Sequence, residues 1–205
     1  MRIGFDEQGG ECVFSSEIDT HARETYQSNF NELPHGDIRK IAVEGIPEHD
    51  LLVGGFPCQP FSIAGVSKLS SMGRGHGFLE ETKGTLFFEI CRILEHHKPK
   101  VILLENVKGL TWHDEGRTFV KITSTLESLG YTLSHKVINS KNFVPQRRER
   151  IFIVGFNDGT KFEFPELPDN LPVLKDILEK SVDPKYTIND HLWAYHQERK
   201  RKQKE

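Results

Sequence analysis

The run Val101-Ile102-Leu103-Leu104 limits the fold more than any other stretch of the chain. Four apolar residues without alternation fit a strand buried on both faces, the usual state of a strand in a parallel sheet. An amphipathic helix is predicted before it, over Thr85 to His97, with Leu86, Phe87, Ile90, Ile93 and Leu94 on one side and Pro99 as its stop. A second follows over Arg117 to Leu129, ended by Gly130. The same alternation extends upstream. Glu11 to Ser16 reads as a short strand, Asp19 as a helix N-cap, His21 to Phe30 as a helix, Gly36-Asp37-Ile38 as a turn and His49 to Gly54 as a strand. Strands alternating with helices predict an α/β fold, a doubly wound, mostly parallel sheet covered on both faces. Tyr131 to Ile138 and Arg150 to Phe156, joined by a loop alone, add an antiparallel hairpin at the edge. The pattern weakens from Asn157, and Pro165, Pro168 and Pro172 mark a linker. The expected division is 1–160 and 161–205, the second part holding short helices and a charged, solvated end.

Composition narrows the function classes. A net charge of -3 excludes a globally basic nucleic-acid coat, so any DNA contact must come from a local patch. The three cysteines, Cys12, Cys58 and Cys91, show no CxxC spacing, which implies neither a disulfide frame nor a metal site. A reducing cytoplasm fits. No apolar run approaches membrane-spanning length.

In an open α/β sheet, ligands bind beyond the carboxyl ends of the strands. Four polar features are predicted at such ends: Glu17 with Asp19, Asp37, Cys58, and Glu105 with Asn106. Cys58 lies in Gly54-Gly-Phe-Pro-Cys-Gln-Pro-Phe-Ser62, where Pro57 and Pro60 stiffen the backbone around the sulfur. Taken singly, each has a structural reading: a buried thiol, a surface acid, a turn former or a helix cap. Their shared placement argues for a site.

These residues carry a resemblance to the DNA (cytosine-5)-methyltransferases. Gly55-Phe-Pro-Cys-Gln-Pro-Phe-Ser62 is similar to the family's nucleophile motif, Glu105-Asn-Val107 to its second catalytic motif, and Gln146-Arg-Arg-Glu-Arg150 to its Gln-x-Arg-x-Arg motif. Glu17, Gly36-Asp-Ile38 and Lys83-Gly-Thr-Leu-Phe87 resemble its cofactor motifs. The resemblance covers about residues 1–160 and implies a Rossmann-like, S-adenosylmethionine-dependent methyltransferase fold.

It further implies that Cys58 attacks cytosine C6, Glu105 serves N3, Arg148 serves O2 and Arg150 contributes to the site, orienting it from behind. S-adenosylmethionine would be bound by Glu17, Ile18, Asp37, Ile38, Gly55, Pro57 and Leu86. Double-stranded DNA would meet Gln59, Ser62, Ser67, Lys68, Arg74, Asn106 and Gln146, with the loop at 62–83 as a lid. The family context is a restriction-modification enzyme of a prokaryotic cytoplasm. The family's opening strand with its Phe-x-Gly-x-Gly-Gly loop, and its target-recognition domain, have no counterpart in these residues. Three expectations follow for the strand: a second chain supplies it (or the recognition domain), the sheet closes up, or the chain is a fragment of a longer gene. The alternative to an active enzyme is a catalytically inactive fragment, or one half of a split methyltransferase, that retains the fold and weak DNA binding. A cysteine hydrolase built on Cys58 would need an oriented histidine, and none of the ten histidines has a recognisable setting.

Overall fold

The computed structural model describes residues 1–57 and 86–202. The chain divides into two compact units, one of 1–139 with 147–167, the other of 140–146 with 168–205. The division falls at Leu167, a few residues beyond the expected boundary, and assigns 140–146 to the second unit.

The first unit is built on a four-stranded sheet in the order β1-β2-β4-β3. Its strands are β1 (Leu51–Gly55), β2 (Val101–Val107), β3 (Thr132–Asn139) and β4 (Glu149–Phe156). β1 and β2 are parallel, and β4 is antiparallel to both β2 and β3. Three of the four strands therefore run the same way, and the inverted one lies between β2 and the edge strand β3. The hairpin at the edge is as expected. β2 differs from expectation by running on to Val107, so Glu105 and Asn106 lie within the strand rather than after it.

Two helices close one face of this sheet: α3 (Leu86–His97) and α4 (Arg117–Ser128). Side chains alternate along β2, and Ile102, Leu104 and Asn106 form the fully buried set. Ile151 and Ile153 of β4 lie beside them in register, 0% and 1% exposed. Phe87, Phe88, Cys91 and Leu94 of α3 and Ile122 and Leu126 of α4 complete this core. Each fully buried Leu or Ile contributes about 1.5–3 kcal/mol relative to exposure. The packing is tight at Gly155, where an added Cβ would stand 2.7 Å from Leu133 Cδ2 and 2.9 Å from Ile102 Cγ1. The other face carries Leu51, Val53, Leu103 and Phe152, all half-buried. The coverage expected on both faces is thus full on one among the described residues.

The helix stops work as expected, with local detail added. Lys98 turns left-handed (φ 47°) after α3, its N–H donating to Leu94 O, and Pro99 follows. After α4, Gly130 (φ 96°) donates to Glu127 O and Tyr131 to Leu126 O, a Schellman stop.

The amino-terminal segment contains α1 (Arg2–Asp6) and α2 (Thr20–Phe30). Asp19 caps α2, accepting from Ala22 N at 2.8 Å. The strand expected at 11–16 is not formed; its pairing among the described residues is a single parallel bridge between Ser16 and His35. A strand needs a ladder to satisfy its backbone groups. Here side chains hold the segment instead: Ser15 Oγ donates to Glu32 Oε1 at 2.8 Å, and Arg2 Nη1 donates to Glu32 Oε2 at 3.0 Å.

The second unit contains the one-turn helix α5 (Leu174–Ile177) and the longer α6 (Asp190–Lys202), which exceeds the short helix expected over 191–199. No described helix is long and apolar enough to cross a membrane.

Candidate active site

Glu105 is the seed of the site. It lies near the carboxyl end of β2, on the face opposite Ile102 and Leu104, and its side chain is 24% exposed. Its carboxylate meets Arg150, whose Nε stands 2.9 Å from Glu105 Oε1. Arg150 comes from the start of β4, where it pairs in register with Val107. Because β4 is antiparallel, its first residues reach the end of the sheet where β2 finishes. Arg150 Nη1 also donates to Glu149 O at 2.9 Å, which fixes the guanidinium. Arg150 thus holds the Glu105 carboxylate oxygen Oε1 in place.

β1 places Gly55 opposite Glu105. A Cβ at Gly55 would stand 3.5 Å from Glu105 Oε2, so glycine keeps the space beside the acid open. The next two residues, Phe56 and Pro57, lead to residue 58. Phe56 is 6% exposed, and its carbonyl accepts from Asn106 Nδ2 at 2.8 Å. Asn106 Oδ1 in turn accepts from Val107 N at 2.8 Å. Asn106, 3% exposed, therefore faces the interior. This corrects its assignment as a DNA contact: strand parity turns it away from the Glu105 face, and its amide fastens the chain just before Cys58.

Cys58, Gln59, Ser62, Ser67, Lys68 and Arg74, with the expected lid, lie outside the described residues. Arg148 is exposed, one residue before β4. Gln146 is exposed in the second unit. Lys108, just past β2, holds Glu149 (Nζ to Oε1, 3.2 Å) and lies 5.7 Å from the centre of the Trp112 ring.

The residues assigned to the cofactor form two groups. Glu17 and Asp37 are brought together by the Ser16–His35 bridge, with Glu17 N donating to His35 O at 2.9 Å and Ser16 Oγ to Gly36 O at 2.6 Å. Glu17 Oε1 accepts from Asp19 N at 2.9 Å, which turns its carboxylate back over the entry to α2. Ile18 is exposed and Ile38 half-buried. Asp37 caps the 3₁₀ turn Ile38–Lys40 and accepts from the Arg39 guanidinium at 2.7 Å. Hydrogen bonds from Arg39 draw the Asp37 carboxyl down to about 2, so it is an ionised acceptor at any ordinary pH. The other group is Gly55 and Pro57 after β1, and Leu86 at the start of α3, 36% exposed.

A residue not foreseen in the sequence is Arg92 of α3. Its Nη2 donates to Ile41 O at 3.0 Å and to Ile38 O at 3.2 Å, while its Nε donates to Glu89 Oε2 at 2.9 Å. The signal available was the spacing of Glu89 and Arg92, an acid and a cation one turn apart on the polar side of an amphipathic helix.

The family model for C-5 cytosine-specific DNA methylases matches residues 1–205. Type II methyltransferase M.DsaV of Dactylococcopsis salina is 52% identical over 98% of this chain and 56% of its own length. M.NgoBI of Neisseria gonorrhoeae is 51% identical over 94% of this chain and 59% of its own. The chain thus spans a little over half the length of these curated relatives. Among solved structures, the Dnmt2 methyltransferase of S. pombe has a TM-score of 0.63 and 21% identity, over 89% of this chain and 56% of that one. A Spodoptera frugiperda DNMT2 mutant has a TM-score of 0.66 and 22% identity, over 92% and 59%. At that identity the likeness concerns the fold.

Proposed function

Since the chain belongs to the C-5 cytosine-specific DNA methylase family, we propose that it carries the part of such an enzyme that transfers a methyl group from S-adenosylmethionine to C5 of a cytosine flipped out of duplex DNA. The observation that supports this most is the Glu105–Arg150 pair, 2.9 Å apart, beside Gly55 and above the Asn106–Phe56 anchor. A carboxyl oriented by a guanidinium, beside the anchored stretch that leads toward Cys58, suits a base that must gain a proton at N3 as it gains electrons at C6.

The Cys58 thiolate adds to C6 while the Glu105 carboxyl donates a proton to N3, giving an enamine. C5 then takes the methyl group, its bond to the donor sulfur breaks, and S-adenosylhomocysteine leaves. Loss of the C5 proton to a base and departure of the Cys58 sulfur restore the aromatic ring, and N3 returns its proton to Glu105. Arg148 stabilises O2 as charge accumulates there. Glu17 accepts from the ribose hydroxyls and Asp37 from the adenine amine. Duplex DNA is the substrate.

The test is covalent trapping. With S-adenosylmethionine and a duplex carrying 5-fluorocytosine, the C5 substituent cannot leave as a proton, so the adduct persists. We expect a stable protein–DNA species that disappears in Cys58→Ala and is weakened in Glu105→Gln. Adduct formation that survives Cys58→Ala would overturn the mechanism. No adduct, with or without a segment carrying target recognition, would favour a silent fragment.

A further inference from the structure

We propose that Arg92 is a positioning residue for the adenine end of the cofactor, acting through the turn that carries Asp37 and Ile38. The inference rests on the assignment of Asp37 to the adenine amine and adds the element that places it.

Residues 38–45 form two short 3₁₀ turns and join no strand of the sheet among the described residues. The nearest backbone pairing is the lone Ser16–His35 bridge, and it ties this region to residue 16, not to the sheet. A turn without ladder bonds keeps its position through side-chain contacts, here the half-buried Ile38, Ile41 and Val43 and hydrogen bonds to its carbonyls. Arg92 supplies two of them from one nitrogen: Nη2 donates to Ile38 O at 3.2 Å and to Ile41 O at 3.0 Å. These carbonyls bracket the turn that Asp37 caps.

The guanidinium is itself fixed. Glu89, one helical turn earlier and 13% exposed, accepts from Arg92 Nε at 2.9 Å, with Nη2 also 2.9 Å from the same oxygen. A planar fork held on one side by a carboxylate presents its remaining donors in one direction. His97 adds a third contact from the same helix, its Nε2 lying 2.9 Å from Val43 O. Helix α3 begins at Leu86, the residue assigned to the other side of the cofactor. Leu86 and Arg92 are separated by about 9 Å of helix rise. One rigid element thus fixes both the Leu86 wall and the position of the Asp37 turn, so the spacing between the two is set by Arg92 rather than by the sheet.

The test is calorimetric titration of the chain with two ligands. One is S-adenosylhomocysteine; the other is the same molecule with hydrogen in place of the adenine amine. The unsubstituted chain is expected to favour the first. Arg92→Met should lower affinity for S-adenosylhomocysteine by about tenfold, the scale on which small misplacements of a polar contact act. It should leave affinity for the amine-free ligand within about twofold, because that ligand makes no bond to Asp37. Arg92→Lys should restore part of the preference, since an ammonium reaches one carbonyl. In an Asp37→Ala background, Arg92→Met should have no further effect on selectivity.

Equal losses for both ligands would mean a merely structural role and would overturn the proposal, as would no loss for either. If the unsubstituted chain shows no preference for the adenine amine, the assignment of Asp37 itself fails, and the role of Arg92 falls with it. Selectivity retained in the unsubstituted chain but unmoved by Arg92→Met overturns the Arg92 proposal alone.

Discussion

At the scale of single residues, neighbours in sequence do different jobs because strand parity separates them. Glu105 faces the site, and Asn106 faces the core, bonded to Phe56 O and Val107 N. Asn106→Ala leaves a buried carbonyl and an N–H without partners, a loss of about 1–3 kcal/mol in urea unfolding. Methyl transfer should fall further than that destabilisation explains, because the anchor before Cys58 is gone. Arg150→Met should slow methyl transfer by about tenfold to a hundredfold with little change in DNA affinity, since a positioned charge rather than a binding contact is lost. Cys91 offers a pH readout. Burial first, then the nearby Glu95, pushes its thiol from 9.0 up to about 12, and burial pushes the Tyr131 phenol from 10.0 to about 12. Both are acids whose folded value lies above the unfolded one. Their stabilisation is therefore complete below about pH 9 and lost as the pH climbs toward 12. Iodoacetamide at pH 8 should leave Cys91 unlabelled until the chain is unfolded, as mass spectrometry of the peptides would show. The alkaline loss of stability should be shallower in Cys91→Ala.

Secondary-structure elements show where reading a sequence succeeds and where it stops. The apolar run at 101–104 and the periodicities of 85–97 and 117–129 announced β2, α3 and α4, because burial on a fixed face leaves a periodic trace. The inward turn of Asn106 was in principle readable too: once β2 runs to Val107, parity groups it with Ile102 and Leu104. The strand end was drawn early because Glu and Asn look like strand breakers, although the ladder with β4 carries them along. The segment at 11–16 misled for the opposite reason. It has strand-like residues, but a strand is a relation between two segments, and composition does not report the partner. Arg92 was invisible because its hydrogen-bond partners are backbone carbonyls some fifty residues away, at Ile38 and Ile41. Within the sheet, Gly155 is the sharpest test. Gly155→Ala brings a methyl group against Leu133 and Ile102 and should cost about 1–3 kcal/mol in thermal or urea unfolding, unlike the same change at Gly4, where nothing lies within 4 Å.

For the molecule as a whole, the order β1-β2-β4-β3 means that most ladder bonds join segments distant in sequence. Hydrogen exchange should report this as a gradient: slowest in β2 and β4, each paired on both sides, and fastest in the bridge-held stretch near Ser16. The interposed position of β4 also has a bearing on synthesis. β3 leaves the ribosome before the strand that ties it to β2, so the growing chain carries an orphan ribbon until residues 149–156 follow. Arg150 is near the front of that last strand, and its arrival closes two ladders and seats the guanidinium against Glu105 in one event. A nascent chain of this kind organises its candidate site only when its sheet is finished, and a half-made copy has the acid without the guanidinium that holds it.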